Sequence, residues 1–434
     1  MERTKINQLK NKIGKIVLIK GFVHEIRDQS KIKFILLRDN SGIMQVVISS
    51  DNAMFDKITK IPKESVLSIE GTVKVEKQAP SGIEIQFLSC QILSVAETPL
   101  PIQVAQKGEE PSLNIRLDNR WLDLRKPKNL LIFKIWTCME QAMREWWKQE
   151  GFIQIYSPKL MGAPSESGAE LFSINYFGKT AYLAQSPQFY KQMAMSAGFE
   201  KIFEIGPVFR ANKSHTTRHD TEFTMIDMEL SFIESHEDIM NAEERWLAFT
   251  IEKVKEKFGK EIKEMFEIDI TIPKIPFPRI TMKEAIHFLK EKKNHLIEEE
   301  GDLDTDGERL LFEIMKELHN HEFVFVTEYP WKIRPFYHMK LTENTTKSFD
   351  LLWRGLEITT GAQREHRHDR LKEQAMEKNL HLEPIKDYLN FFRYGCPPHG
   401  GFGLSPTRLL MILLGIKNVR EVTFLPRDTE RLSP

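Results

Sequence analysis

The sequence predicts an α+β protein in which a small N-terminal β-barrel precedes a larger domain of mixed helices and strands. Three observations lead to this prediction. Residues 15–94 contain five short apolar runs of period two, separated by turn residues. Residues 129–150 have the apolar spacing of a long helix. Residues 202–231 contain two period-two runs joined by a polar loop, which is the pattern of a β-hairpin.

The composition is that of an ordinary globular protein. Of the 434 residues, 41% are hydrophobic and 29% charged, with 62 basic and 62 acidic side chains, and such a length predicts more than one domain. No apolar run approaches the roughly 20 residues of a membrane span and the first residues lack a signal-peptide core, so we expect a cytoplasmic protein without a membrane partner. Cys90, Cys138 and Cys396 are too dispersed for a disulfide framework.

The N-terminal strands are predicted at 15–26, 32–38, 43–49, 65–76 and 83–94. Five short strands suggest a closed barrel of the OB-fold type, which often binds single-stranded nucleic acid by stacking bases on exposed rings. Phe34 is the candidate stacking platform, and Gln45 on the next strand is placed to hydrogen-bond a base edge. The alternative is that Phe34 belongs to the barrel core.

A linker separates the barrel from the second domain. We predict a barrel domain at 1–100, a linker at 101–128 that is rich in proline and charge, and the second domain at 129–434. The helix at 129–150 has an unusually wide apolar face. That width fits either a subunit interface or a deeply buried helix.

Two polar segments lie between this helix and the hairpin. Residues 165–170 form a glycine-bearing polar loop suited to moving over a site. Ser186 as N-cap and Pro187 at the first helical position predict a helix, on which Gln188 and Lys191 share a face.

The hairpin at 202–231 concentrates charged and aromatic side chains on one face. Alternation turns Arg210 away from the apolar face of its strand and puts Phe223, Asp227 and Glu229 on one face of the returning strand. The connecting loop adds Lys213, His215, Arg218 and His219. A guanidinium that forks onto a phosphate and a ring that stacks on a base suit a nucleotide. The alternative is an amphipathic hairpin with one solvated face.

Residues 235–345 show no catalytic pattern and are interpreted as packing and support. The last third of the chain again contains residue patterns that indicate ligand binding. Residues 349–365 are predicted as one strand that runs into a glycine turn, with Glu357 and Thr360 as two oxygen ligands for Mg²⁺ beside phosphates. The alternative is an acid exposed at a strand edge. In 395–408, glycines permit close approach of the backbone to a ligand, and Arg408 falls in the first turn of a helix.

Several of these segments resemble the motifs of one family. The helix ending at Pro158 (motif 1, about 129–158), the hairpin with Phe-Arg-Ala, Thr-Arg-His and Thr-Glu-Phe-Thr (motif 2, about 202–231) and Gly-Gly-Phe-Gly-Leu with Arg408 (motif 3, about 399–414) resemble class II aminoacyl-tRNA synthetases. The string Gln-Ser-Pro-Gln-Phe-Tyr-Lys at 185–191 is typical of aspartyl-tRNA synthetases. The chain is similar to their archaeal and eukaryotic type over essentially its full length.

The resemblance implies an antiparallel catalytic sheet flanked by helices, an anticodon-binding OB-fold barrel and a homodimer formed through motif 1. It implies an enzyme that activates L-aspartate with ATP and Mg²⁺ and transfers it to the 3′ end of tRNA(Asp). The catalytic residues would be Arg210 and Arg408, and the metal ligands Glu357 and Thr360. ATP would be bound by Arg210, Ala211, Asn212, Arg218, His219, Asp220, Phe223, Glu357, Ser405, Pro406, Thr407 and Arg408. L-aspartate would be bound by Glu166, Gln188, Phe189, Tyr190, Lys191, Arg210, Thr360 and Arg364.

The resemblance also has consequences for tRNA binding. Phe34 and Gln45 fall where the family stacks and reads an anticodon base, with Glu84 nearby. Members that charge both tRNA(Asp) and tRNA(Asn) tend to carry histidine and proline at the positions of His24 and Pro80. We therefore expect relaxed discrimination between the two tRNAs.

Departures from the family pattern keep two alternatives open. The family usually has glutamate at the positions of Asn212 and Thr407, so the contacts around ATP are expected to change. It often has serine at the position of Thr360, which keeps the hydroxyl. One alternative is an asparaginyl-tRNA synthetase, against which Lys191 argues. The other is a non-catalytic or tRNA-independent paralogue. The two missing glutamates favour a non-catalytic protein, whereas a tRNA-independent enzyme would leave the barrel with Phe34 and Gln45 without a use.

Overall fold

The computed structural model describes residues 1–105, 108–163, 170–213, 216–298 and 301–434. The chain divides into two compact units, Met1–Leu131 and Ile132–Pro434. In these described ranges, no helix combines the length and the apolar character needed to cross a membrane.

The first unit contains a closed barrel of five strands. They are β1 (Ile16–Asp28), β2 (Ile32–Asp39), β3 (Gly42–Ser49), β4 (Val66–Val75) and β5 (Ile83–Ser94), paired in the order β1-β2-β3-β5-β4. Short helical segments accompany them: a 3₁₀ turn (Ile6–Lys12), α1 (Phe55–Ile58), α2 (Leu113–Asp118) and α3 (Arg120–Asp123). Alternate apolar side chains such as Ile35, Leu37 and Val46 fill the barrel. The predicted OB-fold barrel is confirmed, with strand bounds close to those expected.

The remaining elements carry the larger fold. They are α4 (Pro127–Gln149), β6 (Ile153–Gln154), β7 (Leu160–Met161), β8 (Ser173–Tyr176), β9 (Lys179–Leu183), α5 (Gln188–Ser196), β10 (Lys201–Phe209), β11 (Glu222–Ser231), α6 (His236–Phe266), β12 (Arg279–Thr281), α7 (Met282–Lys293), α8 (Thr305–His319), β13 (Phe323–Thr327), a 3₁₀ turn (Trp331–Ile333), β14 (Ser348–Trp353), β15 (Leu356–Arg364), α9 (His368–Glu377), α10 (Lys386–Asn390), β16 (His399–Leu404), α11 (Pro406–Leu414) and α12 (Val419–Val422).

An eight-stranded sheet organises the second unit. Its order is β12-β13-β14-β15-β16-β11-β10-β6, antiparallel through the middle with a parallel pair at each edge. A separate three-stranded sheet has the order β7-β9-β8. Helices pack on the large sheet through a stack of rings: Trp147 of α4 lies 4.2 Å from Phe203 of β10 and 5.0 Å from Trp246 of α6, between ring centroids. The α+β class and the helix-flanked sheet are confirmed.

Two details of the predicted elements are wrong. Helix α5 begins at Gln188 with Pro187 in the N-cap position, although the Gln188 N–H still donates to Ser186 Oγ at 3.4 Å. The single strand predicted at 349–365 is a hairpin of β14 and β15, because Arg354 (φ 49°) and Gly355 (φ 76°) form a tight turn. Both central residues of this turn need positive φ, for which arginine is a weak sequence signal.

Candidate active site

The β10–β11 hairpin, strand β15 and helix α11 enclose a cavity of about 280 Å³. It is lined by Glu170, Arg210, Asn212, Arg218, His219, Asp220, Phe223, Met225, Glu357, Ile358, Thr360, Gly403, Ser405, Thr407, Arg408 and Val419. These include every residue predicted for ATP except Ala211 and Pro406. The Ala211 N–H donates to the carbonyl of Glu170 (2.8 Å), and Pro406 is the buried first residue of α11. The structure therefore brings together side chains from distant parts of the sequence.

The open end of the hairpin positions Arg210 and Phe223. Strand β10 ends at Phe209, and the Arg210 N–H donates to the carbonyl of Thr221 (2.9 Å), which closes the base of the loop. The Arg210 guanidinium carbon lies 5.5 Å from the centroid of the Phe223 ring, within cation–π range. A fixed guanidinium and an aromatic face thus share one cavity wall.

Arg408 and Glu357 both line the cavity and contact each other directly. Ser405 caps α11 by accepting from the Arg408 N–H (3.4 Å), which fixes Arg408 in the first turn. Arg408 Nη1 donates to the Glu357 carbonyl (3.0 Å) and lies 3.3 Å from Glu357 Oε2. Thr360 Oγ1 donates to Glu357 Oε1 at 2.9 Å. Burial alone would raise the pKa of Glu357, but Arg408 and the Thr360 hydroxyl outweigh it and lower that pKa, so the carboxylate is ionised.

Burial shifts the pKa values of two further cavity residues, His219 and Asp220. Burial and the charge of Arg408 lower the pKa of His219, whose Nε2 lies 3.4 Å from Arg408 Nη2. Burial raises the pKa of Asp220 to about 6, and its Oδ2 accepts from Thr423 Oγ1 at 3.0 Å. Asp220 therefore ties the end of the hairpin loop to the chain after α12.

A row of buried charges continues from the cavity along the sheet. Thr360, Gly403 and Asp227 are register partners across β15, β16 and β11, and Thr360 and Gly403 line the cavity. The next row in the same direction places Gly401 opposite Glu229. Because directly opposed residues lie about 5 Å apart, Asp227 adjoins the cavity, and Glu229 lies one row beyond it.

Lys191 reaches these two carboxylates from helix α5. Its side chain is 1% exposed, with Nζ 2.8 Å from Asp227 Oδ1 and 3.3 Å from Glu229 Oε2. Nζ also donates to the carbonyl of Phe402 (3.1 Å). Burial raises the pKa of Asp227 against the opposing charge of Lys191. For Glu229, burial is outweighed by Arg364 and Lys191, and the pKa is lowered.

Arg364 at the end of β15 pairs with the other oxygen of Glu229. Arg364 Nε donates to Glu229 Oε1 (3.0 Å), Nη2 donates to the carbonyl of Gly401 (2.9 Å), and Nη1 donates to His338 Nε2 (3.0 Å). Burial and the Arg364 charge hold the pKa of His338 well below its usual range, so its imidazole is neutral and can accept. These contacts in the described chain use three of five guanidinium N–H groups, which leaves two for a ligand.

The glycines of β16 also permit close packing against strand β11. A Cβ on Gly401 would lie 2.3 Å from Glu229 Oε2, and one on Gly403 would lie 2.3 Å from Met225 Cε. At Gly401 the closest atom to such a Cβ is the backbone oxygen of Met228, at 2.0 Å, so glycine is required by the approach of β11 itself as well as by the carboxylate that pairs with Lys191 and Arg364.

Three more residues predicted for aspartate, Gln188, Phe189 and Tyr190, are not among the residues that line the cavity. Gln188 Nε2 donates to Gln192 Oε1 (3.1 Å), Phe189 stacks on Tyr388 with centroids 4.0 Å apart, and Tyr190 packs against the same apolar cluster. Their positions indicate support for helix α5. Glu166 and the loop residue His215 lie outside the described residues.

Polar residues near the cavity that were not predicted as site residues include Glu308, Arg334 and Asp350, and Glu170, which lines it. Arg218 Nη1 donates to Glu308 Oε2 at 2.8 Å, and Arg334 Nη2 donates to Asp350 Oδ2 at 2.6 Å. Burial raises the pKa of Asp350 to about 6. Glu308 and Arg334 lie in the segment interpreted as packing and support, and no local pattern distinguishes them from solvated charges.

A second cavity, of about 650 Å³, lies on the barrel. His24, Gln45 and Pro80 are among its lining residues. His24 Nδ1 lies 2.9 Å from Arg38 Nη1, and burial together with Arg38 lowers the pKa of His24.

The outer face of the barrel also carries Phe34. Its sequence neighbours on β2 are buried, whereas Phe34 is half-buried and absent from the core cluster, so the alternative of a core Phe34 is wrong. On the adjoining strands, Gln45 Nε2 donates to Glu84 Oε2 at 3.0 Å. An aromatic ring and amide and carboxylate groups therefore share this face.

Family comparisons agree with both units. Residues 112–429 match the family described as tRNA synthetases class II (D, K and N), and residues 17–93 match the OB-fold nucleic acid binding domain. The chain belongs to the class II tRNA synthetases.

Full-length relatives of this synthetase have closely related names. This chain is 46% identical to the aspartate–tRNA(Asp) ligase of Pyrococcus abyssi, and the alignment covers 97% of each chain. It is 43% identical to the aspartate–tRNA(Asp/Asn) ligase of Aeropyrum pernix, covering 97% of this chain and 96% of the relative.

Solved structures extend the likeness to the asparagine enzymes. The aspartyl-tRNA synthetase of Entamoeba histolytica matches this synthetase with a TM-score of 0.89 and 34% identity, covering all of this chain and 93% of that one. The asparaginyl-tRNA synthetase of Pyrococcus horikoshii complexed with asparaginyl-adenylate has a TM-score of 0.93 at 33% identity, with complete coverage of both chains.

Proposed function

We propose that this synthetase is an aspartate–tRNA ligase, which forms aspartyl-adenylate from L-aspartate and ATP and transfers the aspartyl group to the 3′ end of tRNA(Asp). The observation that carries the proposal is the pair of buried cations, Lys191 and Arg364, on either side of Glu229. A substrate carboxylate is stabilised by these cations once Asp227, whose pKa burial raises, takes up a proton, whereas a neutral amide gains no such ion pair. The names of the full-length relatives support the same assignment.

ATP occupies the 280 Å³ cavity in this proposal. Phe223 stacks on the adenine, and Arg210 binds the α-phosphate together with the substrate α-carboxylate. Arg218 and Arg408 bind the outer phosphates. Three guanidinium groups and one aromatic face on a single cavity support these roles, because arginine matches phosphate geometry and rings stack on bases.

The donor set on β15 suits Mg²⁺. Glu357 supplies an ionised carboxylate and Thr360 a hydroxyl oxygen next to it. In the described ranges, no group of three or more His, Cys, Asp or Glu side chains is arranged to hold a metal. Two protein oxygens combined with phosphates and water match the usual preference of Mg²⁺. Bound there, the ion neutralises phosphate charge.

The activation step needs charge stabilisation and no protein nucleophile. An oxygen of the aspartate α-carboxylate attacks the α-phosphorus, the bond to the bridging oxygen breaks, and pyrophosphate leaves. Arg210 and Arg408 stabilise the negative charge that develops on the phosphorus oxygens. A hydroxyl at the 3′ end of the tRNA then attacks the aspartyl carbonyl, releasing AMP and a proton.

The barrel would recognise the anticodon. Phe34 stacks on one base while Gln45 and Glu84 meet base edges, which their shared outer face supports. His24 and Pro80 line the neighbouring cavity, so we propose that the enzyme also aspartylates tRNA(Asn). Aspartylation of purified tRNA(Asn) at less than a hundredth of the tRNA(Asp) rate would refute the relaxed discrimination.

The protein would act as a homodimer in the cytoplasm, where tRNA is charged. Helix α4 contributes Phe133 and Trp136 to a surface cavity of about 580 Å³, together with Phe424, which is 60% exposed. Such apolar exposure beside motif 1 supports a subunit contact. Sedimentation of the full chain as a monomer at micromolar concentration would contradict the dimer.

Exchange of labelled pyrophosphate into ATP tests the activity. We expect exchange with aspartate and only background exchange with asparagine. Arg364→Met should abolish the aspartate-dependent exchange, while the matched control Arg370→Met, on the exposed surface of α9, should retain it. Exchange with asparagine alone would establish the asparaginyl alternative. Absence of exchange with either amino acid would support a non-catalytic paralogue.

A further inference from the structure

Glu308 makes an ion pair with Arg218, one of the two arginines proposed to bind the outer phosphates. It lies in the first turn of α8, and its Oε2 accepts from Arg218 Nη1 at 2.8 Å. The Glu308 side chain is only 11% exposed and that of Arg218 is 25% exposed. The contact joins residues 90 positions apart, so it fixes the hairpin loop to a helix of the following segment.

The two partners differ in how they are held. Arg218 lies in the loop between β10 and β11, outside regular structure. Helix α8 is anchored by Asp304, which accepts from the Gly307 N–H (2.6 Å), and by close packing on the β14–β15 turn, where a Cβ on Gly355 would lie 2.8 Å from Arg309 Cα. A carboxylate on a fixed helix therefore restrains an arginine on a loop.

The direction of the contact is also informative. Arg218 lines the cavity, whereas Glu308 is not among the described lining residues. The contact with Glu308 uses Arg218 Nη1, on a side chain that itself lines the cavity.

We propose that Glu308 is a positioning residue for ATP, which orients the Arg218 guanidinium towards the outer phosphates before the nucleotide binds. This inference rests on the proposed ATP site. Ordering a long side chain costs conformational entropy, and a restraint present in the free protein reduces what ATP binding must supply. Burial raises the pKa of Glu308 to about 7, with Arg218 and Arg408 opposing the rise and Glu357 adding to it. The carboxylate is thus desolvated among the charged groups of the site.

Direct binding of ATP with Mg²⁺, measured by titration calorimetry on the full chain without amino acid, tests the proposal. Glu308→Gln should weaken binding about tenfold, the size expected when one charge-assisted hydrogen bond is lost. The matched control Glu313→Gln removes an exposed acid of the same helix, which pairs with Lys293, and should leave the Kd unchanged. Melting temperatures verify that each variant is folded.

A double-mutant cycle separates positioning from a general structural effect. If Glu308 acts through Arg218, Glu308→Gln should add nothing to the Kd increase caused by Arg218→Ala. In pyrophosphate exchange, the single variant should raise the KM for ATP while kcat and the KM for aspartate change less than about threefold.

Three results would overturn the proposal. An unchanged Kd for Glu308→Gln would deny the contact a role in binding, and tighter binding would make Glu308 a competitor of phosphate. A full tenfold effect in the Arg218→Ala background would show that Glu308 acts independently of Arg218. Because the calorimetric readout needs no amino acid, it stands even if aspartate supports no exchange, which would refute only the proposed substrate.

Discussion

Replacement of Lys191 by methionine tests the amino-acid site most directly. Methionine keeps most of the length and the apolar stem of lysine but removes the charge. The Lys191 ammonium lies 2.8 Å from Asp227 Oδ1 and 3.3 Å from Glu229 Oε2 in a site that excludes solvent. In the proposed function, it also balances the side-chain carboxylate of the substrate.

The structure separates the cost to activity from the cost to stability. A substrate carboxylate without its buried cation should lose about 3–5 kcal/mol, which corresponds to a decrease of about 10²- to 10⁴-fold in kcat/KM for aspartate. The folded protein should lose only about 1–3 kcal/mol. Glu229 keeps Arg364, and the pKa of Asp227 is already raised by burial, so Asp227 can take a proton when its partner is removed.

Aspartate-dependent pyrophosphate exchange and urea unfolding measure the two quantities on the same protein. Lys372→Met, on the exposed face of α9, is the matched control and should change neither. A decrease of less than tenfold in kcat/KM for Lys191→Met would refute the reasoning. A fall in activity that merely follows unfolding of the variant would refute it equally.

Three further predictions concern separate parts of the catalytic unit. Glu243 is fully buried, accepts from Thr359 Oγ1 (2.5 Å) and has a pKa raised by burial to about 8. Because this folded-state pKa exceeds the unfolded value, the free energy of unfolding should fall as pH rises from about 4.5 to about 8, by at most about 5 kcal/mol. In urea unfolding, Glu243→Gln should make the free energy of unfolding less dependent on pH. An unchanged pH dependence in this variant would contradict the assignment. Thr360→Val removes the hydroxyl that donates to Glu357 and should raise the Mg²⁺ concentration for half-maximal exchange about tenfold, whereas Thr360→Ser should not; equal Mg²⁺ requirements for the two variants would disprove the metal role. Asn212→Glu restores the usual residue of the family on the cavity wall and should lower the KM for ATP about threefold to tenfold, while a higher KM would show that the nucleotide pocket has adapted to asparagine.

The sequence predicted the elements whose side chains follow a local period. The barrel strands and the β10–β11 hairpin have clean alternation, so their bounds and the common face of Phe223, Asp227 and Glu229 could be derived from residue order alone. The position of Arg408 in the first turn of α11 was also predicted, and the structure adds Ser405 as the cap and Pro406 as the first residue of this helix.

Contacts between distant segments were not accessible in this way. Glu308 belongs to an amphipathic helix with acids in its first turn, a pattern shared by many solvated helices. Its contact with Arg218 depends on how α8 packs against the β14–β15 turn, and that turn was missed because arginine precedes its glycine. The buried pair of Arg334 and Asp350 likewise joins two separate elements, the segment after the second 3₁₀ turn and strand β14.

Charge balance gives the amino-acid site its selectivity in the proposed function. The buried groups are two cations, Lys191 and Arg364, and two carboxylates, Asp227 and Glu229. A substrate carboxylate adds one negative charge, which the site can accommodate because burial has already raised the pKa of Asp227 towards its neutral form. An asparagine amide adds no charge and leaves the existing pairs to hold the cations. Aspartate and asparagine are therefore distinguished by the protonation and pairing of four buried side chains, a difference compatible with a backbone that matches an asparaginyl-tRNA synthetase with a TM-score of 0.93.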